Sequence, residues 1–148
     1  MKIRRSLSCD SDALLDIWLR SVRASHTFLT EADIQSLLPS VRDYFALPGL
    51  ELWILCTQSG TPIGFMGLSG CVVDALFLAP EHIRQGGGTL LLEHARRLKG
   101  GPLSVDVNEQ NPAALQFYLA RGFTAVGRSP VDGEGRPFPL LQLREISG

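Results

Sequence analysis

Hydrophobic and polar positions along this chain fall into two alternating periods, and the changes of period mark out its elements. A short stretch at residues 3–6 reads as a strand, after which Leu14, Leu15, Ile17, Trp18 and Val22 recur at helical spacing on one face, with Asp10 or Ser11 placed to cap that helix. Thr30, followed three residues later by Asp33, has nearly the form of a capping box. Ile34, Leu37, Leu38, Val41 and Phe45 then carry a second helical stripe, interrupted by Pro39, where a kink is expected. From Leu50 the pattern shortens. L-E-L-W-I-L-C-T-Q and I-G-F-M-G-L-S read as strands joined by the turn Ser59-Gly60-Thr61-Pro62, and V-V-D-A-L-F-L as a third strand ending at Ala79-Pro80. These connections are too short for a crossover helix, so the three strands are expected to form an antiparallel meander. A helix over about 88–99 is closed by Gly100-Gly101-Pro102, the strand L-S-V-D-V follows, and Asn111-Pro112 opens a further helix that Gly122 ends. Strands at about 124–128 and 140–144 flank the turn-rich V-D-G-E-G-R-P-F-P. The order β-α-α-β-β-β-α-β-α-β-β predicts an α/β (α+β) fold, a mixed sheet with helices packed on it, and no internal repeat or linker divides it.

Length and composition narrow this picture. With 148 residues, 45% hydrophobic and 20% charged, the chain is expected to be a single domain spanning residues 1–148. Its 14 basic and 15 acidic residues are mixed along the sequence, which argues against a nucleic-acid partner. No apolar run reaches the roughly 18 residues of a membrane span, and the first five residues lead into polar ones, so a cytoplasmic protein with no membrane partner is expected. Cys9, Cys56 and Cys71 form no C-x-x-C pair and are expected to be reduced, with Cys56 and Cys71 buried in their apolar runs. His26, His82 and His94 lack metal-ligand spacing, so no metal is expected; His82 and His94 read as surface residues.

Two stretches carry chemistry. In L-F-L-A-P-E-H-I-R-Q-G-G-G-T-L-L-L-E-H-A, residues 76–95, a strand runs into a glycine loop that opens a helix. The unpaired N–H groups of a helix N-terminus suit a phosphate or pyrophosphate, glycine lets the backbone approach closely, Arg84 adds a cation and Thr89 a hydroxyl. Three glycines alone are equally the mark of a flexible turn. No Lys-Ser/Thr follows them as a Walker motif requires, and Leu91 stands where a dinucleotide fingerprint needs its third glycine. In V-D-V-N-E-Q-N-P-A-A-L-Q-F-Y-L-A-R-G-F, residues 105–123, Asp106, Asn108 and Asn111 gather at a strand end and helix start, and Tyr118 lies two helical turns beyond Asn111. Taken alone, Tyr118 reads as a core tyrosine with its hydroxyl at the rim.

Both stretches, and the element order, resemble the GNAT superfamily of N-acetyltransferases. Its pyrophosphate loop, Arg/Gln-x-x-Gly-x-Gly/Ala, is met by I-R-Q-G-G-G, and its N-x-x-A-x-x-F-Y-x-x-x-G-F segment by residues 111–123; the likeness is strongest over about 50–128. S-V-R-A-S-H-T-F-L near the start and G-R-S-P-V-D-G-E-G-R-P-F-P-L-L near the end also resemble a small bacterial subgroup of that superfamily. The resemblance implies a mostly antiparallel sheet of about seven strands with about four helices, and transfer of acetyl from acetyl-CoA (coenzyme A) to a primary amine by direct attack in a ternary complex. It assigns the cofactor to Leu76, Phe77 and Leu78 along a strand, to Arg84, Gln85, Gly86, Gly87, Gly88 and Thr89 in the loop, and to Asn111 and Tyr118, with Tyr118 as general acid. One position departs from the family: Ile83 replaces the leading Arg or Gln of the loop, which implies weaker cofactor affinity with Arg84 beside it to compensate.

Acyl transfer to an alkyl amine also calls for a base. Asp106 is favoured, with His26 and Asp74 close behind and Glu109 a further candidate. The acceptor, a small-molecule amine or a peptide or protein amine, is expected between His26, Thr27, Phe28 and Tyr44 on one side and Arg136 and Phe138 on the other, in a monomer or homodimer. Two other readings stand beside this one. A non-catalytic acyl-CoA-binding sensor would share the fold and the loop, whereas a hydrolase has only G-L-S-G-C, a near miss to G-x-S-x-G followed by a strand where the motif needs a helix.

Overall fold

The computed structural model describes residues 1–133 and 135–145. Strand β1 (Lys2–Arg5) leads through a 3-10 turn at Ser8–Asp10 into helix α1 (Ser11–Ser25). Asp10 occupies the capping position, but its carboxylate caps no N–H of α1. It accepts from the Leu7 amide at 2.7 Å and from both terminal nitrogens of Arg4 at 2.9 and 3.0 Å, which fastens β1 to the start of the helix. The bidentate guanidinium holds the Asp10 carboxyl below the usual carboxylate range. Helix α2 (Glu31–Phe45) starts on the expected reciprocal cap, Thr30 Oγ1 accepting from the Asp33 amide and Asp33 Oδ2 from the Thr30 amide, and it continues unbroken through Pro39.

Strands β2 (Glu51–Cys56), β3 (Pro62–Ser69) and β4 (Val72–Leu78) form the antiparallel meander. A 3-10 turn at Pro80–His82 leads to α3 (Gly87–Lys99), which ends on Gly100 in the left-handed region, then come β5 (Ser104–Asn108), α4 (Pro112–Leu119), β6 (Phe123–Ser129) and β7 (Leu140–Glu145). The seven strands make one sheet in the order β1-β2-β3-β4-β5-β7-β6, with every neighbouring pair antiparallel except β4 and β5.

The sheet is covered on both faces, which explains why β3 is apolar along its length instead of alternating. Leu14, Ile17, Trp18, Val22 and Ile34 of α1 and α2 pack with Leu52, Ile54, Cys56 and Phe65, while Leu91, Leu92 and Ala95 of α3 pack with Leu55, Met66, Val105, Phe123 and Leu143. Cys56 is buried as expected, but Cys71 is exposed, because it falls in the tight turn between β3 and β4 and not within either strand. His94 likewise departs from the surface reading: its ring sits edge-on to Trp53 at 4.3 Å with Nε2 buried.

Candidate active site

The site begins where the sheet comes apart. β4 and β5 pair in parallel only at Val72 with Ser104 and Val73 with Val105. Beyond that point β4 stays bonded to β3 as far as Leu78 and β5 to β7 as far as Asn108, so the two strands diverge and leave their facing edges without strand partners. A cleft of about 580 Å³ opens there, walled by β4, β5, the loop after β4 and α4, with Ser21, Ser25 and His26 of the α1 end at its side.

At one end of the cleft the chain presents backbone. Gly86 precedes α3 with φ of 84°, and Arg84 takes a φ of 69°, a left-handed conformation that side chains rarely adopt. A Cβ on Gly87 would lie 2.5 Å from Leu55 Cδ2, and one on Gly88 2.8 Å from Phe117 Cζ, so the first turn of α3 is seated closely on those side chains. Its free N–H groups and partial positive charge fit a pyrophosphate, as do the two guanidinium side chains that line the cleft, Arg84 and Arg121. Arg121 is held in place by donating Nε to Thr89 Oγ1 at 2.9 Å and Nη1 to the Phe117 carbonyl at 2.8 Å, over the Phe117 ring. Ile83 lies at the rim, 45% exposed. Gln85, expected with the loop residues, does not line the cleft; its side chain turns back to His82 Nδ1 at 3.0 Å.

At the other end the chain presents side chains. Leu76, Phe77, Leu78, Asn111, Asp106, Tyr118 and His26 all line the same cleft. Tyr118 is only 6% exposed, edge-on to Phe117 at 5.1 Å and to Phe123 at 5.3 Å, and burial pushes its phenol up, so it holds its proton at neutral pH. No described residue shares a hydrogen bond with its hydroxyl. Asn111 Oδ1 accepts from the Ala114 amide at 3.3 Å, capping α4 and leaving its NH₂ group free to donate. Asp106 and Asp74 are exposed on the two cleft walls, Asp74 accepting a short hydrogen bond from the Ser69 hydroxyl. Glu109 is not part of the cleft, because its carboxylate pairs with Arg128 on β6.

His26 follows the last residue of α1, part-buried, with Phe28 at 5.4 Å and Phe77 at 6.4 Å, and burial holds its imidazole below the usual range. Phe28 in turn meets Phe138 at 5.8 Å, which brings the α1–α2 connection and the late turn together, although neither ring lines the cleft. Tyr44 does not join that rim. It lines a separate hollow of about 250 Å³, its hydroxyl lying over Gly67, where a Cβ would collide with it. Thr27 lines neither cavity. Among the described residues no group of three or more His, Cys, Asp or Glu is arranged to hold a metal ion, and no helix is long and apolar enough to cross a membrane.

The acetyltransferase (GNAT) domain model matches residues 48–125, from just before β2 to within β6. The chain belongs to the GNAT acetyltransferase family. It is an acyl-CoA-dependent N-acetyltransferase, and the reading of the cleft as a non-catalytic sensor gives way to that. Among its relatives is the peptidyl-lysine N-acetyltransferase YjaB of Salmonella typhimurium, 46% identical over 97% of this chain and 97% of the relative. The solution structure of apo-form YjaB from Escherichia coli superposes with a TM-score of 0.90 at 41% identity, covering 99% of this chain and 98% of that one. A PaiA N-acetyltransferase from Thermoplasma acidophilum in complex with coenzyme A shares the fold, with a TM-score of 0.75 at 18% identity, 99% of this chain and 100% of that one being covered.

Arg121, Ser21 and Ser25 are among the cleft residues of this GNAT chain that were not singled out from its sequence. Arg121 carries a weak signal, since it falls one turn after Phe117 on the same face. Ser21 and Ser25 fall within the S-V-R-A-S-H-T-F-L stretch of the subgroup resemblance, but as polar positions on an amphipathic helix they point to no role until the fold turns that end of α1 toward β4.

Proposed function

We propose that this acetyltransferase carries the acetyl group of acetyl-CoA to the side-chain amine of lysine in a peptide or protein, with donor and acceptor bound together. The observation that carries this reading is the single cleft at the β4–β5 divergence, which joins the glycine loop to Tyr118 and His26. The names of the YjaB relatives, peptidyl-lysine N-acetyltransferases, support the choice of acceptor.

Bound acetyl-CoA supplies a thioester whose carbon–sulfur bond breaks as the new carbon–nitrogen bond forms. The amides at 86–89, with Arg84 and Arg121, hold the pyrophosphate, and the unpaired edge of β4 at Leu76, Phe77 and Leu78, with Asn111, orients the arm that leads from it. A lysine ammonium must lose a proton before it can attack. His26 Nε2 takes that proton and releases it to water; burial holds its imidazole below the usual range, so the ring is neutral and its lone pair available at neutral pH. Asp106, favoured from sequence, and Asp74 stand exposed on the walls and draw the cationic acceptor in. Tyr118 gives its phenolic proton to the departing sulfur and regains one from the newly acylated nitrogen.

Incubating the protein with acetyl-CoA and a panel of lysine peptides and free amines, followed by mass spectrometry and assay of released thiol, tests this. Acetylated lysine with matching thiol release is expected. Acetylation confined to free small amines would overturn the peptide acceptor, and thiol release without any acetylated amine would overturn the transfer reading.

A further inference from the structure

The hydrogen-bond distances at the end of α1 bear on which nitrogen of His26 carries the proton. Ser25 Oγ lies 2.8 Å from the Ser21 carbonyl one turn back, and a carbonyl oxygen only accepts, so the single hydroxyl proton of Ser25 is committed there. The same Oγ lies 2.8 Å from His26 Nδ1. With its proton already used, Ser25 can only accept in that contact, so Nδ1 must bear the hydrogen. In a neutral imidazole the other nitrogen, Nε2, then holds the lone pair.

We infer that Ser25 is a positioning residue for the transfer reaction: its hydroxyl, itself aligned by the Ser21 carbonyl, locks His26 in the Nδ1–H tautomer and reserves Nε2 for the acceptor's proton. This rests on the reading of His26 as the base. The opposite tautomer would place the lone pair on Nδ1, against Ser25 Oγ, where an incoming amine is blocked by the serine. The surroundings support a fixed ring. Ser21 is buried, which protects its carbonyl contact from water. The His26 amide donates to the Val22 carbonyl at 2.8 Å, so the backbone is tied to α1 just as it leaves helical geometry. Phe28 and Phe77 lie against the imidazole. Ser21, Ser25 and His26 all line the reaction cleft, so the relay ends in the site and not on the outer surface.

The test uses full-length protein labelled with ¹⁵N-histidine and long-range proton–nitrogen correlation at mildly alkaline pH, where the imidazole is neutral. The wild type should show a protonated Nδ1 and an unprotonated Nε2 for His26. In Ser25→Ala the two forms should mix, and turnover should fall by about 2- to 10-fold with KM for acetyl-CoA unchanged, less than the roughly 100-fold or more expected on removing a base itself in His26→Ala. Ser25→Thr keeps the hydroxyl and should restore both the spectrum and the rate. A wild-type spectrum with the proton on Nε2, or one that Ser25→Ala leaves unaltered, would overturn the lock. Full turnover in His26→Ala would instead overturn the base reading, and the spectrum still decides the tautomer independently of that result.

Discussion

The two ends of the cleft are made of different material. Under α3 the surface is backbone, the amides around Gly86, Gly87 and Gly88 packed on Leu55 and Phe117, and the residues there matter mainly for what they lack. Beside α1 and α4 the surface is side chain: the phenol of Tyr118, the imidazole of His26 and the rings of Phe77 and Phe117. The difference follows from the proposed tasks. Holding an anion needs several weak donors in a fixed array, which a helix start supplies whatever its side chains are. Moving single protons needs one atom of the right acidity in one place, which only a particular side chain supplies. Changes at the first end should therefore show in affinity, and changes at the second in rate.

The largest effect is expected at the backbone end. Gly86→Val puts a β-branched residue at a φ of 84°, with open space around the new Cβ, so any loss comes from the backbone moving and not from a clash. Losing two amide contacts to a charged ligand, at about 1.5–3 kcal/mol each, weakens acetyl-CoA binding by at least about 100-fold in calorimetry. Unchanged affinity would place the pyrophosphate elsewhere and break the contrast.

Tyr118→Phe probes the other end and should act on rate alone. The ring remains against Phe117 and Phe123, so melting temperature and acetyl-CoA affinity should change little while turnover drops by about 10- to 1,000-fold. A lowered melting temperature with a nearly full rate per folded molecule would make Tyr118 a core residue and remove it from the chemistry. The smallest effect is expected for Ile83→Arg. Ile83 is half exposed at the rim, so the change should leave stability alone and add one contact of about 1 kcal/mol, tightening acetyl-CoA binding about 5-fold. Equal affinity in a titration would show that Arg84 and Arg121 already meet the need.

The same division governs how much of the molecule is legible in its amino-acid sequence. The meander, the element order, the glycine loop and the Asn111 cap rest on local signals such as hydrophobic period, turn residues and caps, and each appears where the pattern places it. The divergence of β4 from β5 has no local signal, because it depends on β3 and β7 holding the outer edges of the two strands along their lengths, and β7 lies some thirty residues beyond β5. Distant contacts also engage side chains that look available in the sequence: β6 brings Arg128 to Glu109 and α2 lays the Tyr44 hydroxyl over Gly67, whereas the turn of Gln85 back to His82 is local. Pro39 reads as an interruption on propensity, yet α2 runs through it, packed on the sheet by Ile34, Leu37, Leu38 and Val41.

The strand order also bears on how the protein is assembled as it is synthesised. β7 is the last strand in sequence but lies between β5 and β6 in the sheet. Until β7 arrives, β6 has no strand to pair with, and β5 holds to the rest of the sheet by two residue pairs alone. The meander, with α1 and α2 over one face, can close before β7 is made, whereas the wall that carries Asp106 waits for that strand. An emerging chain therefore shows two bare strand edges for as long as residues 140–145 are unmade, and the reaction cleft is completed only once β7 has joined the sheet.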